Sequence, residues 1–576
     1  MGMRASTLFR RSVMHGLGYL LLAGGLFALP SAPMVAWAAP QSASGSSGPS
    51  DHGMRQVAFI NQQIRRVWEE YQLTPAPPAT EGEWCRRLYL DILGRIPSID
   101  EVRAFVADKS PDKRVQLVQT LLHDERFTEE YARNWATIWT NLLIGRSGGT
   151  EQNSLVSREG MQKYLRDSFA RGKPYDTMVQ ELVSATGSNA PGAPDFNGAV
   201  NFLTMKLDEQ AAQATAQTAR LFLGMQVQCT QCHNHPFNEW KQNQFWEMNA
   251  FFRQTVALRR FVPGTDDLRV VELANQDFAG EGGTPEEAEL YYELRNGLLK
   301  TAYPVFVDGQ EIGRSGYLDE VNRRSELARL IVPSTYMPEA IVNRMWGHFL
   351  GYGFTKPVDD MGPHNPPSHP ELLTYLGQAF REHSCDLKAL ITWLVLSEPY
   401  ALSSRGTTGN TTDDPLVGES PKFSRFYLRQ MRAEELYESL LVATEAHKTQ
   451  GDYAEQEKLK ANWLRQFTIA FGTDEGDETT TFNGTIPQTL MMFNGELIRK
   501  ATSSDKGSFL EKVASSSLRP AEKIEYLFVS GLARKPSSQE LAIANQLLVV
   551  RGGDVAGALQ DVWWSILNSN EFIVNH

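Results

Sequence analysis

The stretch of this sequence best equipped for chemistry is Cys229-Thr230-Gln231-Cys232-His233, which continues as Asn234-His235-Pro236-Phe237-Asn238-Glu239-Trp240. Two thiols followed at once by an imidazole form the C-x-x-C-H signal for c-type haem attachment. The thiols of Cys229 and Cys232 add to the vinyl groups of the macrocycle, and His233 lies where it binds the iron axially. The chain has only four cysteines and eleven histidines, so the pattern is specific. An iron held this way needs a sixth ligand or an open position. His235 is too close to His233 to reach the opposite face. The candidates are His348, His364, His369, Met345 and Met361, each of which also reads as a structural residue.

The same segment admits a non-haem reading. Cys229, Cys232 and His235 give C-x-x-C-x-x-H, a spacing suited to tetrahedral zinc or another divalent metal, with a fourth ligand from elsewhere. Cys232 and His233 together on one zinc are disfavoured, because consecutive side chains diverge. A third reading is a Cys229–Cys232 disulfide, structural or redox-active, although the thioredoxin-like βαβ setting is absent.

A second constellation lies in the stretch from Lys356 to Glu371, where five prolines and one glycine make a shaped loop. Asp359, Asp360, His364 and His369 stand there. Paired carboxylates and imidazoles bind a divalent metal or serve as acid and base. The plainer reading is loop architecture, in which Asp caps turns and His fixes a loop by hydrogen bonding. We expect this loop to pack near the Cys229 to Trp240 segment, because His, acidic groups and proline-shaped backbone concentrate in these two places. No nucleophile elbow or phosphate loop occurs in a convincing context, so no catalytic residue is assigned.

The elements that must position these residues are helices. Apolar residues at spacings of three and four predict helices over 56–71, 83–93, 111–122, 128–144, 154–170 and 175–185. Ser98 and Glu101 form a capping box for a short helix ending near 107. An Ala-rich helix over 208–222, stopped by Gly224, leads into the motif, and a helix over 242–252 follows it. Then the character changes: 269–273 and 303–307 read as strands, and 281–289 as an acidic exposed loop. Helical pattern returns over 322–331, 338–349, 370–380, 386–396 and 430–445. Ser368 and Glu371 read as the capping box of the 370–380 helix. Two polar loops, 406–421 (expected to be mobile) and 473–484, interrupt a C-terminal half completed by helices over 487–499, 521–530, 538–550 and 555–568. The expected fold is therefore mainly α, with two helical domains joined by a small β-containing connector. The expected divisions are a signal peptide (1–38), a flexible leader (39–54), an N-terminal helical domain (55–253), the connector (254–318) and a C-terminal helical domain (319–576).

The start of the chain supplies the compartment. Arg4, Arg10 and Arg11 precede a mostly apolar run from Val13 to Leu29, and Ala36-Trp37-Ala38 offers small residues for cleavage after Ala38. An uncleaved membrane anchor is the alternative, and no later run is long enough to span a bilayer. Export agrees with the motif, since covalent haem attachment takes place outside the cytoplasm. The net charge of −12 argues against nucleic acid as a main partner. Aromatic residues at 10% and hydrophobic residues at 41% describe an ordinary packed protein.

Several short runs carry a family resemblance. They are Arg86-Arg87-Leu88-Tyr89-Leu90-Asp91, Glu101-Val102-Arg103-Ala104-Phe105 and the Cys229 to Phe237 stretch. Later ones are Asn343-Arg344-Met345-Trp346, Pro357-Val358-Asp359-Asp360, Asn365-Pro366-Pro367-Ser368-His369-Pro370-Glu371-Leu372 and Leu567-Asn568-Ser569-Asn570-Glu571-Phe572, with Asn575-His576 closing the sequence. In these the chain resembles exported planctomycete proteins that join a cytochrome-like domain (PSCyt type) to a second domain of unknown function (PSD type). The resemblance implies residence in the periplasm or cell envelope and an exported sulfatase-like protein or a redox partner there. It implies no reaction. The sequence departs from the family at Asn234, where Asp is common, and at Tyr352, where Arg is common. A separate N-terminal cytochrome domain is also missing, so multi-haem transfer within the chain is not implied. Two function classes follow: a haem c electron-transfer protein, or a metal-dependent hydrolase or binding module acting on envelope or environmental polysaccharide.

Overall fold

The computed structural model describes residues 51–280, 283–449, 451–472 and 485–576. The expected signal peptide, most of the leader and the loop expected over 473–484 lie outside the described residues. The protein is mainly α, and among the described residues its short strands form three small sheets. No described helix is long and apolar enough to cross a membrane.

Helices form where the pattern predicts them, except that the one expected over 487–499 breaks at Gly495 into Ile486–Asn494 and Glu496–Ala501, and Tyr453–Phe471 is a helix the spacing does not signal. Arg55–Glu70 buries Val57, Ile60, Ile64 and Trp68 on one face. Glu81–Leu93 opens with a capping box: the Thr80 hydroxyl accepts from Glu83 N–H, and the Glu83 carboxylate accepts from Thr80 N–H. Gly94, at φ +74°, ends that helix in the left-handed region. The expected box of Ser98 and Glu101 is present at Ile99–Ala107. The box expected of Ser368 and Glu371 is not. Pro370 takes the first turn of Pro370–Glu382 and His369 is the N-cap. Ser368 instead donates its N–H to Phe354 O and meets His369 Nδ1 through its hydroxyl, and Glu371 reaches Arg66 at 3.1 Å.

The connector region holds two antiparallel sheets. Thr255–Phe261 pairs with Leu268–Asn275, with Val256 opposite Ala274, and Gly187–Ser188 lies on the other side of Leu268–Asn275. Leu290–Glu293 pairs with Leu299–Ala302 as a hairpin. The strand expected over 303–307 is absent; only Val305 makes an isolated bridge, to Glu311. Pro304 has no N–H to give a ladder. The polar stretch over 406–421 is anchored rather than loose. Its Asp413 is fully buried and accepts from the Ser424 hydroxyl at 2.6 Å and the Tyr427 hydroxyl at 2.5 Å.

Packing gives two principal cores. The larger gathers apolar side chains from Val57 to Tyr427, so helices before 253 and after 319 share it with connector strands. The second runs from Met431 to Ile573. The Glu81–Leu93 helix serves both: Trp84, Leu88 and Ile92 face the first core, and Leu90 faces the second. Its polar residues are buried at the same seam. Arg86 donates to Val574 O and Phe572 O at 3.0 and 2.7 Å. Arg87 donates to His576 O, Tyr400 O and Leu402 O. Asp91, fully buried, accepts from the Tyr400 hydroxyl and Asn575 Nδ2, each at 2.7 Å, and pairs with Arg429.

Removing one partner from a buried ion pair leaves a desolvated charge, which typically costs roughly 3–5 kcal/mol. Asp91→Ala is therefore expected to lower unfolding stability by about that much, whereas Tyr400→Phe removes one hydrogen bond and costs about 1 kcal/mol. Urea denaturation of the two variants checks the ranking. Equal losses would mean that the ion pair is not the element holding the seam.

Candidate functional site

The motif is presented by two helices. Asp208–Leu223 stops at Gly224, whose φ of +69° is left-handed. A short 3-10 turn, Gln228–Gln231, follows. Thr230 is buried, and its hydroxyl donates to Val227 O at 2.5 Å. From the other side, Gln242–Asn249 grips the segment. Trp246 Nε1–H and the Gln242 side-chain amide both donate to Gln231 O, at 3.0 and 3.2 Å. Asn234 Oδ1 accepts from Gln242 N–H at 3.0 Å, and His235 N–H donates to Trp240 O at 2.8 Å. The backbone is thus pinned from within, while the functional groups face outward. Cys229 and Cys232 are exposed free thiols. Phe237, in the same segment, is 86% exposed, an unusual position for a large apolar ring.

The two motif histidines are held in opposite tautomers. His233 Nδ1 lies 2.6 Å from Asn234 O. A carbonyl oxygen only accepts, so Nδ1 carries a proton, and in the neutral ring Nε2 keeps its lone pair. His235 Nδ1 faces the N–H groups of Phe237 and Asn238 at 3.2 and 3.1 Å. There Nδ1 must accept, which puts the proton of the neutral ring on Nε2. His233 is therefore poised as a ligand, and His235 is committed to shaping the turn.

The loop that carries the second constellation docks on this segment. Met361 N–H donates to Gly224 O at 2.7 Å, and a Cβ on Gly224 would meet Met361 Sδ at 2.7 Å, so glycine is required by both backbone angle and approach. Asp359 is clamped by Arg220 at 2.7 Å, Arg344 at 3.4 Å and Gln226 Nε2 at 2.9 Å. Burial pushes its carboxyl up, but the two guanidinium groups outweigh this and hold it below the usual range. Asp360 turns the other way and accepts from His364 Nε2–H at 3.0 Å. The His364 ring stands 6.3 Å from that of His235, centroid to centroid.

His369 does not join them. Its ring packs against Phe354 and Phe423, at 5.7 and 5.4 Å, and desolvation pulls its pKa down to about 4. Among the other axial candidates, Met345 is a core side chain, and burial holds His348, beside Trp135, far below its ordinary range. Among the described residues no three His, Cys, Asp or Glu side chains converge as a metal site.

Between the motif segment and the loop lies a cavity of about 370 Å³, whose walls include Leu223, Met225, Trp240, Tyr336, Glu339 and Met361. Sequence reasoning missed the clamp on Asp359 and the staple beneath it. Asn343 donates to Thr355 Oγ1 and Val358 O, at 2.8 and 2.9 Å, and accepts from Phe354 N–H. An Asn on the apolar face of a helix was the available sign.

A family model named PSCyt2, described as a protein of unknown function (DUF1549), matches residues 59–257, and one named PSD1, also of unknown function (DUF1553), matches residues 323–468. The chain is a PSCyt-then-PSD protein. No curated protein and no solved structure matches it. The PSCyt2 match contributes the motif and the PSD1 match the docking loop, so the cavity is walled by both. Residues of both matches also share the larger core.

His369 makes the stability of this PSCyt–PSD protein depend on acid. In the unfolded chain an imidazole takes up its proton near pH 6.5, in the folded chain near 4. The unfolded state thus binds more protons over that window, and stability falls as pH drops through it. His369→Gln should lower stability at pH 7.5 and show a shallower further loss between pH 6.5 and 4. Urea denaturation across that range reads the slope, and an unchanged slope would remove His369 as a contributor.

Proposed function

We propose that the protein carries a c-type haem at Cys229, Cys232 and His233 and serves as an electron-transfer protein outside the cytoplasm. The observation that carries this reading is the contrast between the two motif histidines. The neutral ring of His233 presents Nε2 as a free lone pair while its Nδ1–H is fixed by Asn234 O, the arrangement that orients a metal-binding imidazole. His235, which the zinc alternative needs, spends its Nδ1 on two backbone N–H groups. The exposed thiols of Cys229 and Cys232 are accessible for thioether formation, and exposed Phe237 supplies apolar surface for a macrocycle to cover. When bound, the group supplies one-electron transfer. The chain's own residues anchor it, orient the axial imidazole and hold the turn rigid through Gln242 and Trp246.

This reading requires export, and we propose that the signal segment is cleaved after Ala38 and that the redox partner is another envelope protein. Protein purified from cells with a haem-attachment system is expected to keep a covalent haem after denaturation, seen in the pyridine haemochrome spectrum, and to begin at Ala39 by mass spectrometry. His233→Ala should alter the native haem spectrum, and His235→Ala should leave it close to wild type. A wild-type protein without haem, carrying about one zinc that Cys229→Ser releases, would replace this proposal with the non-haem metal reading.

A further inference from the structure

The cavity beside the motif has a chemistry of its own. Neither Cys229, Cys232 nor His233 lines it, so it is separate from the proposed attachment point. Its aromatic members are Trp240 and Tyr336, and its acidic members are Glu239 and Glu339. No Lys or Arg is in the wall. The one imidazole, His364, already donates to the Asp360 carboxylate.

Glu339 is the distinctive member. It stands in the first turn of Tyr336–Leu350, half-buried. Its stem is wedged against the helix Pro370–Glu382, where a Cβ on Gly377 would meet Glu339 Cγ at 3.1 Å. Its hydrogen-bond partner is the Thr374 hydroxyl, at 2.9 Å, and no cation pairs with it among the described residues. Burial accordingly pushes its carboxyl up from the ordinary range. A partly desolvated carboxylate without a counter-ion is favoured by a cation that approaches it. The rest of the wall is mainly apolar, from Leu223, Met225, Met361 and Leu373 with several prolines, and Asn238, Gln244 and Thr374 are its neutral polar members. A carboxylate and two aromatic side chains around an apolar space attract a cation that is itself weakly hydrated. A small metal ion does not suit it, since among the described residues no three His, Cys, Asp or Glu side chains converge there.

We propose that this cavity binds a small organic cation, of the quaternary or substituted ammonium class, with its charge on Glu339 and its methyl groups against Trp240 and Tyr336. The volume of about 370 Å³ admits such a molecule with room for a short polar tail.

The test uses choline and its uncharged isostere 3,3-dimethylbutan-1-ol, titrated into the full-length purified protein by calorimetry, with Trp fluorescence as a second readout. Choline is expected to bind saturably, and the isostere at least about tenfold more weakly, because only the former engages the ring faces and carboxylate electrostatically. Glu339→Gln should weaken choline about tenfold and leave the isostere unchanged, and Trp240→Leu should weaken choline and remove the fluorescence response. The wild-type comparison needs no variant to fold. Equal binding of choline and the isostere, absence of choline binding at tens of millimolar, or preferential binding of a neutral methyl glycoside would overturn the proposal. Haem content has no part in these readouts, so the result stands apart from the proposed redox role.

Discussion

The fold depends on a charged seam that water does not reach. Asp91, Arg86 and Arg87 project from one helix whose apolar faces belong to two different cores. A carboxylate and guanidinium groups at such depth persist only when each is surrounded by partners. Burial, partly offset by nearby acidic groups, pulls Arg86 and Arg87 down to about 10, which still leaves them charged at neutral pH. Their partners are mostly backbone carbonyls, from Tyr400, Leu402, Phe572, Val574 and His576. These lie far apart in sequence, so the two cores are joined through one set of fixed donors. The same helix also brings Arg87 over the Phe426 ring at 3.5 Å.

The site repeats this device on a smaller scale. Asp359 draws Arg220 and Gln226 from the motif side and Arg344 from the loop side onto one carboxylate. The clamp, together with the Met361–Gly224 contact, fixes the loop to the end of the helix that delivers the motif. Of the acidic pair, Asp359 is thus architectural, and Asp360 is the member that meets a histidine. A site assembled this way is rigid in its backbone and leaves its reactive atoms at the surface.

What the sequence makes legible follows from the range of the interaction. Helix positions are set by local spacing and caps, and Ser98 with Glu101 behaves as read. The box read at Ser368 and Glu371 fails because Pro370 and the distant partners Phe354 and Arg66 decide the geometry instead. The hairpin of Leu290–Glu293 and Leu299–Ala302 carries its signal in Asn296-Gly297, where Gly297 takes φ +81° and Asn296 Oδ1 accepts from Leu298 N–H. The neighbouring run with higher strand propensity, 303–307, holds Pro304 and does not pair as a strand. Asp413, in a stretch that reads as polar and loose, is buried by partners on Ser424 and Tyr427 that local composition does not reveal. At the site, the association of the two loops follows from where His, Asp and Pro concentrate, but the withdrawal of His369 into an aromatic cluster does not.

The contrast between His233 and His235 shows how such a site is sorted by hydrogen bonding rather than by residue type. Both are histidines in one short segment, and no difference in sequence spacing assigns the proton. The turn does. Residues 237 and 238 come round so that their N–H groups converge on His235, which closes the loop at the expense of that ring's free lone pair. The Asn234 carbonyl faces His233 and leaves it the complementary tautomer. Asn234 therefore acts twice, since its side chain also receives Gln242 N–H and ties the turn to the supporting helix. An aspartate there would keep the acceptor for Gln242 N–H and add a negative charge to the turn. In this chain the position is neutral. The neutral amide thus supplies the acceptor that ties the turn to Gln242–Asn249 without adding a charge to it.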